Sequence, residues 1–269
     1  MKSVKIFFTT LLSSVCIVLL SFAALYWAIA PSHTQVGTSK TDVPLLTAES
    51  GDIKTALVAT EIQHTRFFFV IKLNAVKTKI SIAAIPADYH LAKAGRTLSQ
   101  SLNYAGIMQC VQDLTDDSGI PIDYHLLLDE DSLKQLLSAF GDTNMQSFAH
   151  IIPQDIASFW SDTAIDANAL ADLLCRCAPQ LDTAEGLEFL THLTAHLIQN
   201  NTVNIQNYTL ADITDSFSVL STNIGVQQAA RLNRIFTLLR RSEPQFETAA
   251  ITDSDTAKEI IARLFDTEI

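Results

Sequence analysis

Short apolar runs and helix-spaced stripes alternate along most of this chain. Phe67, Phe68, Phe69, Val70 and Ile71 form an unbroken apolar run, the pattern of a strand buried on both faces. The turn-like string Asn74-Ala75-Val76-Lys77 separates it from a second strand over residues 79–85, which Pro86 stops. Leu98, Leu102, Ala105, Val111 and Leu114 fall roughly on one face of a helix over 98–114, and Gly119-Ile120-Pro121 closes that segment. Residues 124–128 give a third strand. Asp129 caps the next helix, in which Leu133, Leu136, Leu137 and Phe140 recur at i, i+3, i+4 and i+7. The second half reads as helices over about 166–176, 184–199, 209–221 and 225–241, then a strand over 248–251 and a helix over 257–265. Strands separated by helices of this length predict one α/β domain, a three-layer α/β/α sandwich around a central mixed sheet.

The first thirty residues follow a different rule. Residues 6–30 are 25 positions without a charge, preceded by Lys2 and Lys5 and followed by Pro31. As a helix this stretch would reach about 37 Å, enough to cross a hydrocarbon core of about 30 Å with some tilt. The two lysines keep the N-terminus cytoplasmic, and Tyr26 and Trp27 then fall near the outer interface, where amphipathic rings are favoured. The competing reading is a cleaved leader, because Ala28-Ile29-Ala30 has the small-x-small form. Against it stand the length of the apolar run and Pro31 directly after the cut. The organisation expected is therefore a cytoplasmic tail (1–5), a transmembrane anchor (6–30), an extracytoplasmic stalk (31–50) and the α/β domain (51–269).

Composition narrows the partners. The 269 residues are 48% hydrophobic and only 17% charged, with a formal net charge of −11. That balance excludes a nucleic-acid binder, which needs a basic phosphate-facing surface. Cys16 lies in the apolar run and leaves Cys110, Cys175 and Cys177 outside, an odd number that does not suit a disulfide-built domain. His192 and His196 have a zinc-ligand spacing, but Leu193 stands where a glutamate would be needed, so helix-surface histidines are the simpler reading. Cys175-x-Cys177 has no second cluster and reads as semi-buried thiols. No Gly-rich phosphate loop or Gly-x-Ser-x-Gly elbow is present.

Between residues 67 and 140 the order of motifs resembles the LytR–CpsA–Psr family of bacterial envelope proteins. A hairpin of apolar strands leads into Ile85-Pro86-Ala87-Asp88, then a helix through Asn103-Tyr104-Ala105-Gly106, then Gly119-Ile120-Pro121-Ile122-Asp123-Tyr124-His125, and finally Asp129, Leu136-Leu137 and Phe140-Gly141. The resemblance covers roughly residues 55–242, more clearly in the first half, and a single-pass N-in anchor also fits it. It implies a protein that takes a glycopolymer from an undecaprenyl-pyrophosphate carrier and joins it to peptidoglycan. The prenyl chain would lie in an apolar tunnel, with arginines on the pyrophosphate and acidic residues on Mg²⁺. Guanidinium forks and a divalent cation serve phosphoryl transfer by neutralising charge on phosphate oxygens.

The positions that carry this chemistry in the family are altered here. The Ile-Pro-Arg-Asp turn has become Ile85-Pro86-Ala87-Asp88, so its arginine is missing while Asp88 stays. A metal-binding aspartate falls on Arg66, which cannot ligate Mg²⁺. Two family arginines fall on Cys175 and Cys177, with Arg176 between them and pointing elsewhere. Two more become Glu185 and Glu188, shortly after Asp182 and Thr183. A shifted register would bring Arg231 and Arg234 into that role instead, but it leaves Ala87 unchanged. Glu185, Glu188 and His192 share one helical face, opposite Leu187, Leu190, Leu193 and Leu197. The expectation is a member without the transfer activity and without a resident cofactor, facing the bilayer, a polyprenyl-linked glycopolymer or other envelope proteins. The alternative is a working enzyme with relocated cations. On both readings Asp88, Arg96, Arg176 and Asp182 are the candidate ligand-groove residues.

Overall fold

The computed structural model describes residues 47–140, 143–144, 152, 164–204, 221–252 and 254–265. The chain divides into Met1–Leu45 and Leu46–Ile269, and all described residues belong to the second unit. The apolar segment 6–30 lies outside them, as does the helix expected over 209–221 except for Ser221. Among the described residues no helix is long and apolar enough to cross a membrane.

Two long strands joined by a tight turn, β1 (Ile53–Ile62) and β2 (Thr65–Asn74), anchor the sheet. They pair antiparallel with Leu57 opposite Val70 and Thr60 opposite Phe67, and the turn is carried by Gln63 and His64 at positive φ. Then β3 (Lys79–Ile85) adds antiparallel to β2. Two short strands follow, β4 (His90–Leu91) and β5 (Arg96–Thr97), which pair with each other.

The helix expected over 98–114 is two helices, α1 (Leu98–Ala105) and α2 (Ile107–Ser118). Thr97 and Gln100 form a capping box at the start of α1. Gly106, at φ 77°, ends α1 and starts α2, a backbone conformation that a side chain would disfavour. The apolar spacing carries on across this break, so the pattern alone reads as one helix.

Next come β6 (Tyr124–Leu128), α3 (Glu130–Phe140) and a small pair, β7 (Thr143–Asn144) with β8 (Ala164–Ile165). Asp166 caps α4 (Ala167–Leu181), which runs through Pro179 and so extends past the expected end at 176. The chain closes with α5 (Ala184–Asn204), β9 (Ser221–Thr222), α6 (Val226–Arg241), β10 (Gln245–Ala250) and α7 (Ser254–Phe265). Ser221, expected at a helix end, is in β9.

The six-stranded sheet has the order β10-β3-β2-β1-β6-β9. β1 with β6 and β3 with β10 run parallel, and the other pairs antiparallel. This is a mixed α/β fold with a central mixed sheet and, among the described residues, seven helices.

Strand alternation gives the two faces different neighbours. Leu57, Ala59, Phe68, Val70, Ala83 and Ile85 pack with residues of α1, α2 and α7, including Leu98, Leu114 and Phe265. On the other face Phe67, Phe69 and Ala84 pack with Leu133 and Leu137 of α3, Leu170 to Ala178 of α4 and Leu187 to Leu197 of α5. Leu73, Ile80 and Ile82 on that same face meet Ile235, Leu238 and Leu239 of α6.

Candidate functional site

One sheet face is filled solidly; the other is packed at its ends and leaves a hollow over its middle strands. Leu57 and Val70 are fully buried on the first. On the second, Ala56, Val58 and Ile71 keep partial exposure in mid-strand because they line a cavity of about 270 Å³. Its floor is the even-numbered run Lys54, Ala56, Val58 and Thr60 of β1, with Phe69, Ile71 and Leu73 of β2 and Tyr124, Leu126 and Leu128 of β6. Its roof comes from Leu133, Leu136 and Leu137 of α3, Thr194, Leu197 and Ile198 of α5, and Leu232 and Phe236 of α6. The lining is almost wholly apolar, as a pocket for a hydrocarbon chain requires. Sequence reading missed the four floor residues supplied by β1, because that strand was not expected.

A second hollow lies at the other end of α5. Glu185, Glu188, Thr191 and His192 of that helix face Thr248, Ala249, Ala250 and Thr252 across a cleft of about 410 Å³. The expected helical face is thus present, and it lines a cleft rather than open surface. No arginine or lysine lines it among the described residues. The corner that aims this face is tight. Thr183 accepts from the Gly186 amide at 3.1 Å, its carbonyl accepts from the Leu187 amide at 2.8 Å, and a Cβ on Gly186 would come within 2.5 Å of the Leu181 backbone. Only glycine lets α5 start this close to the end of α4.

The four candidate residues separate. Asp88 sits in the turn after β3, and Asp182 ends α4; burial first, and then the negative charge of Asp88, push the Asp182 carboxyl above its ordinary range. The charge of Asp88 is thus felt at Asp182. Arg96 is committed elsewhere: its Nε donates to Asp113 Oδ2 at 2.8 Å and its Nη2 to Asp113 Oδ1 at 3.1 Å. The guanidinium also lies 4.6 Å from the centroid of the Tyr104 ring. Burial works against ionising Asp113. Hydrogen bonds from Arg96, Ser101 and Gln109 outweigh it and hold the carboxyl below its usual range. Arg176 is exposed on α4, with Nε donating to the Asp172 carbonyl at 3.4 Å. Neither arginine lines the acidic cleft.

The positions flagged by substitution are also resolved. Ala87 is partly buried against the cluster containing Leu98, and its carbonyl accepts from the Ser99 amide at 2.9 Å. Arg66 donates to Glu61 at 2.8 Å, to the Ser99 hydroxyl at 3.0 Å and to Asn103 Oδ1 at 2.8 Å, so a cation stands in this corner between β2 and α1. Cys175 is buried beside Glu130 and Lys134; burial above all, and then Glu130, push its thiol up to about 11. Cys177 is buried in the core. Arg231 and Arg234 lie on α6, where Arg234 pairs with Asp52 at 3.1 Å. Among the described residues no three His, Cys, Asp or Glu side chains gather closely enough to hold a metal ion. With Arg66 where a third carboxylate was expected, the donor set around Asp88 and Asp182 does not fit Mg²⁺.

No family model matches the chain, and no curated protein matches it in sequence. Solved structures match it in fold. B. subtilis TagT is 14% identical with a TM-score of 0.58, covering 82% of this chain and 94% of its own. B. subtilis TagV is 14% identical with a TM-score of 0.58, covering 82% of this chain and all of its own. TagT bound to LIIa-WTA is 13% identical with a TM-score of 0.59, covering 87% of this chain and all of its own. At such identities the likeness is one of fold. The described domain has the fold of LytR–CpsA–Psr proteins, among which TagT and TagV are counted.

Proposed function

We propose that this is a membrane-anchored, extracytoplasmic protein of the bacterial cell envelope that binds a polyprenyl-linked, glycopolymer-related ligand without transferring it. In this reading residues 1–5 are cytoplasmic, 6–30 span the bilayer, 31–50 form a stalk and 51–269 form the ligand-binding domain. The solved complex of TagT with LIIa-WTA supports a glycopolymer ligand for a domain of this fold. The apolar cavity supports the retention of a hydrocarbon-binding function.

One observation carries the loss of transfer: the cleft at the start of α5 is lined by Glu185 and Glu188, with no opposing cation among the described residues. A pair of unit charges about 4 Å apart is worth about 4 kcal/mol at an effective dielectric of 20. Turning two attractive partners into repulsive ones therefore costs several kcal/mol in diphosphate binding before any relaxation. Each decade of affinity corresponds to about 1.4 kcal/mol. Arg96 supports the same reading, because its guanidinium is already held by Asp113 at two points.

The test is a transfer assay on the purified full chain in lipid nanodiscs, with lipid-linked glycopolymer donor, peptidoglycan acceptor and Mg²⁺. The expected result is no product above a protein-free control. Product that depends on both donor and Mg²⁺ overturns the proposal.

A further inference from the structure

The two edges of the sheet are guarded unequally. At one, β9 is only two residues long and offers a passing strand little to pair with. At the other, β10 is six residues long and contains neither proline nor lysine. Its inner bonds are fixed. The Gln245 amide donates to the Thr78 carbonyl at 3.0 Å, and the Ile251 amide donates to the Ala84 carbonyl at 2.9 Å. In that phase of the parallel ladder, residues 245, 247, 249 and 251 point their N–H and C=O groups inward at β3. Phe246, Thr248 and Ala250 point theirs outward, and among the described residues no strand pairs with them. The charged side chain of β10, Glu247, is drawn back onto Lys79 at 2.7 Å and so does little to ward off a neighbour.

The two sides of this edge differ. Ala249 and Ile251 pack on the side of α7, whereas Phe246 packs on the side of α6 and Thr248 and Ala250 border the acidic cleft. A strand added alongside β10 would therefore present every second side chain to Glu185, Glu188 and His192. Among the described residues no three His, Cys, Asp or Glu side chains converge on one point. A cation carried on a long, flexible stem thus suits this cleft of about 410 Å³ better than a bare metal ion. A second copy of the chain suits it poorly. Two paired β10 edges would set two acidic clefts together in a protein of net charge −11.

We infer that β10 takes up an extended basic segment of a partner protein as a seventh strand, with its lysine or arginine side chains entering the acidic cleft. Main-chain bonds to Phe246, Thr248 and Ala250 supply affinity, and the carboxylates of Glu185 and Glu188 select the side chains. This goes beyond the glycopolymer-binding reading and does not depend on it.

The experiment uses the full chain in nanodiscs and a fluorescent peptide, acetyl-Thr-Lys-Val-Lys-Val-Lys-Val-Thr-amide, with binding followed by anisotropy. Saturable binding is expected, together with slower hydrogen exchange at the amides of Phe246, Thr248 and Ala250, read residue by residue. Glu185→Gln/Glu188→Gln should weaken binding about tenfold or more, as loss of charged hydrogen-bond partners implies. Thr248→Pro should do the same while keeping the thermal unfolding midpoint, because the N–H it removes points away from β3. Two further peptides carry N-methyl groups on the lysines or on the valines. One of them should lose binding and the other keep it, since only one set of amides faces β10, and the set that matters reports the strand direction. Equal behaviour of the two methylated peptides, unchanged exchange at the three amides, or unchanged binding in Thr248→Pro overturns the inference. So does protection of those amides that rises with protein concentration in the absence of peptide, which would mean a second copy fills the edge. No readout involves a lipid-linked donor or transfer, so failure here is distinct from failure of the transfer assay.

Discussion

Asp88, in the turn that follows β3, places its negative charge where it opposes ionisation of Asp182 at the end of α4. Burial, and after it the charge of Asp88, hold the Asp182 carboxyl above its normal range. A fold that raises an acid's pKa binds that proton more tightly than the unfolded chain does. Its stabilising effect is therefore complete below the unfolded value and is lost as pH rises through the folded one.

Asp182→Asn should consequently stabilise the domain at neutral pH, but by no more than about 0.5 kcal/mol, because the residue keeps much of its contact with solvent although its carboxyl is partly desolvated. The gain should fade as pH falls below the ordinary aspartate range. Urea unfolding of wild type and variant at pH 7.5 and pH 3.5 checks both points. A variant less stable than wild type at pH 7.5 would mean that the carboxylate has a partner there.

The ion pair between Arg96 and Asp113 has the opposite sign. Asp113 is 7% exposed, and its folded pKa is depressed, so its contribution is present above the unfolded value and is lost as pH falls through the folded one. Arg96→Ala leaves a buried carboxylate with only Ser101 and Gln109 as donors, and a loss of about 2–3 kcal/mol is expected. The loss should shrink at low pH, where Asp113 is protonated. If the variant melts like wild type, Arg96 is free for another task, and the relocated-cation reading returns.

The hollow face offers a comparison within one residue type. Val70 is fully buried on the solid face, whereas Val58 lines the cavity. Val70→Ala should cost about 2 kcal/mol, because it opens a new void in close packing. Val58→Ala should cost less than about 1 kcal/mol, because it only widens an existing one. Chemical denaturation of the two variants measures the difference directly. Equal costs would indicate that the cavity is closed in solution.

Much of this architecture was legible in the chain. β3 and β6 announce themselves because each is buried almost throughout, and β2 because its apolar run is buried without a break from Phe67 to Val70. β1 was not legible. Lys54, Thr55, Thr60 and Glu61 dilute its pattern, and one of its faces lines a cavity instead of a packed core. Gly106 divides α1 from α2 through backbone conformation, which hydrophobic spacing does not record. The acidic face of Glu185, Glu188 and His192 follows from helical geometry, but its opposition to Thr248 and Thr252 depends on β10 pairing with β3 more than 160 positions away in sequence. The partner of Arg96 was equally hidden, since Asp113 lies 17 residues on and meets it only after the turn at Gly106.

The account stands on the electrostatics of the cleft at the start of α5, and calorimetric titration of inorganic pyrophosphate into the full chain tests that most directly. Wild type should show no binding up to about 1 mM, a weak-affinity limit near −4 kcal/mol. The double charge reversal Glu185→Arg/Glu188→Arg should bind measurably, with an affinity that weakens as salt is raised. Micromolar binding by wild type, reduced by that double substitution, would contradict it.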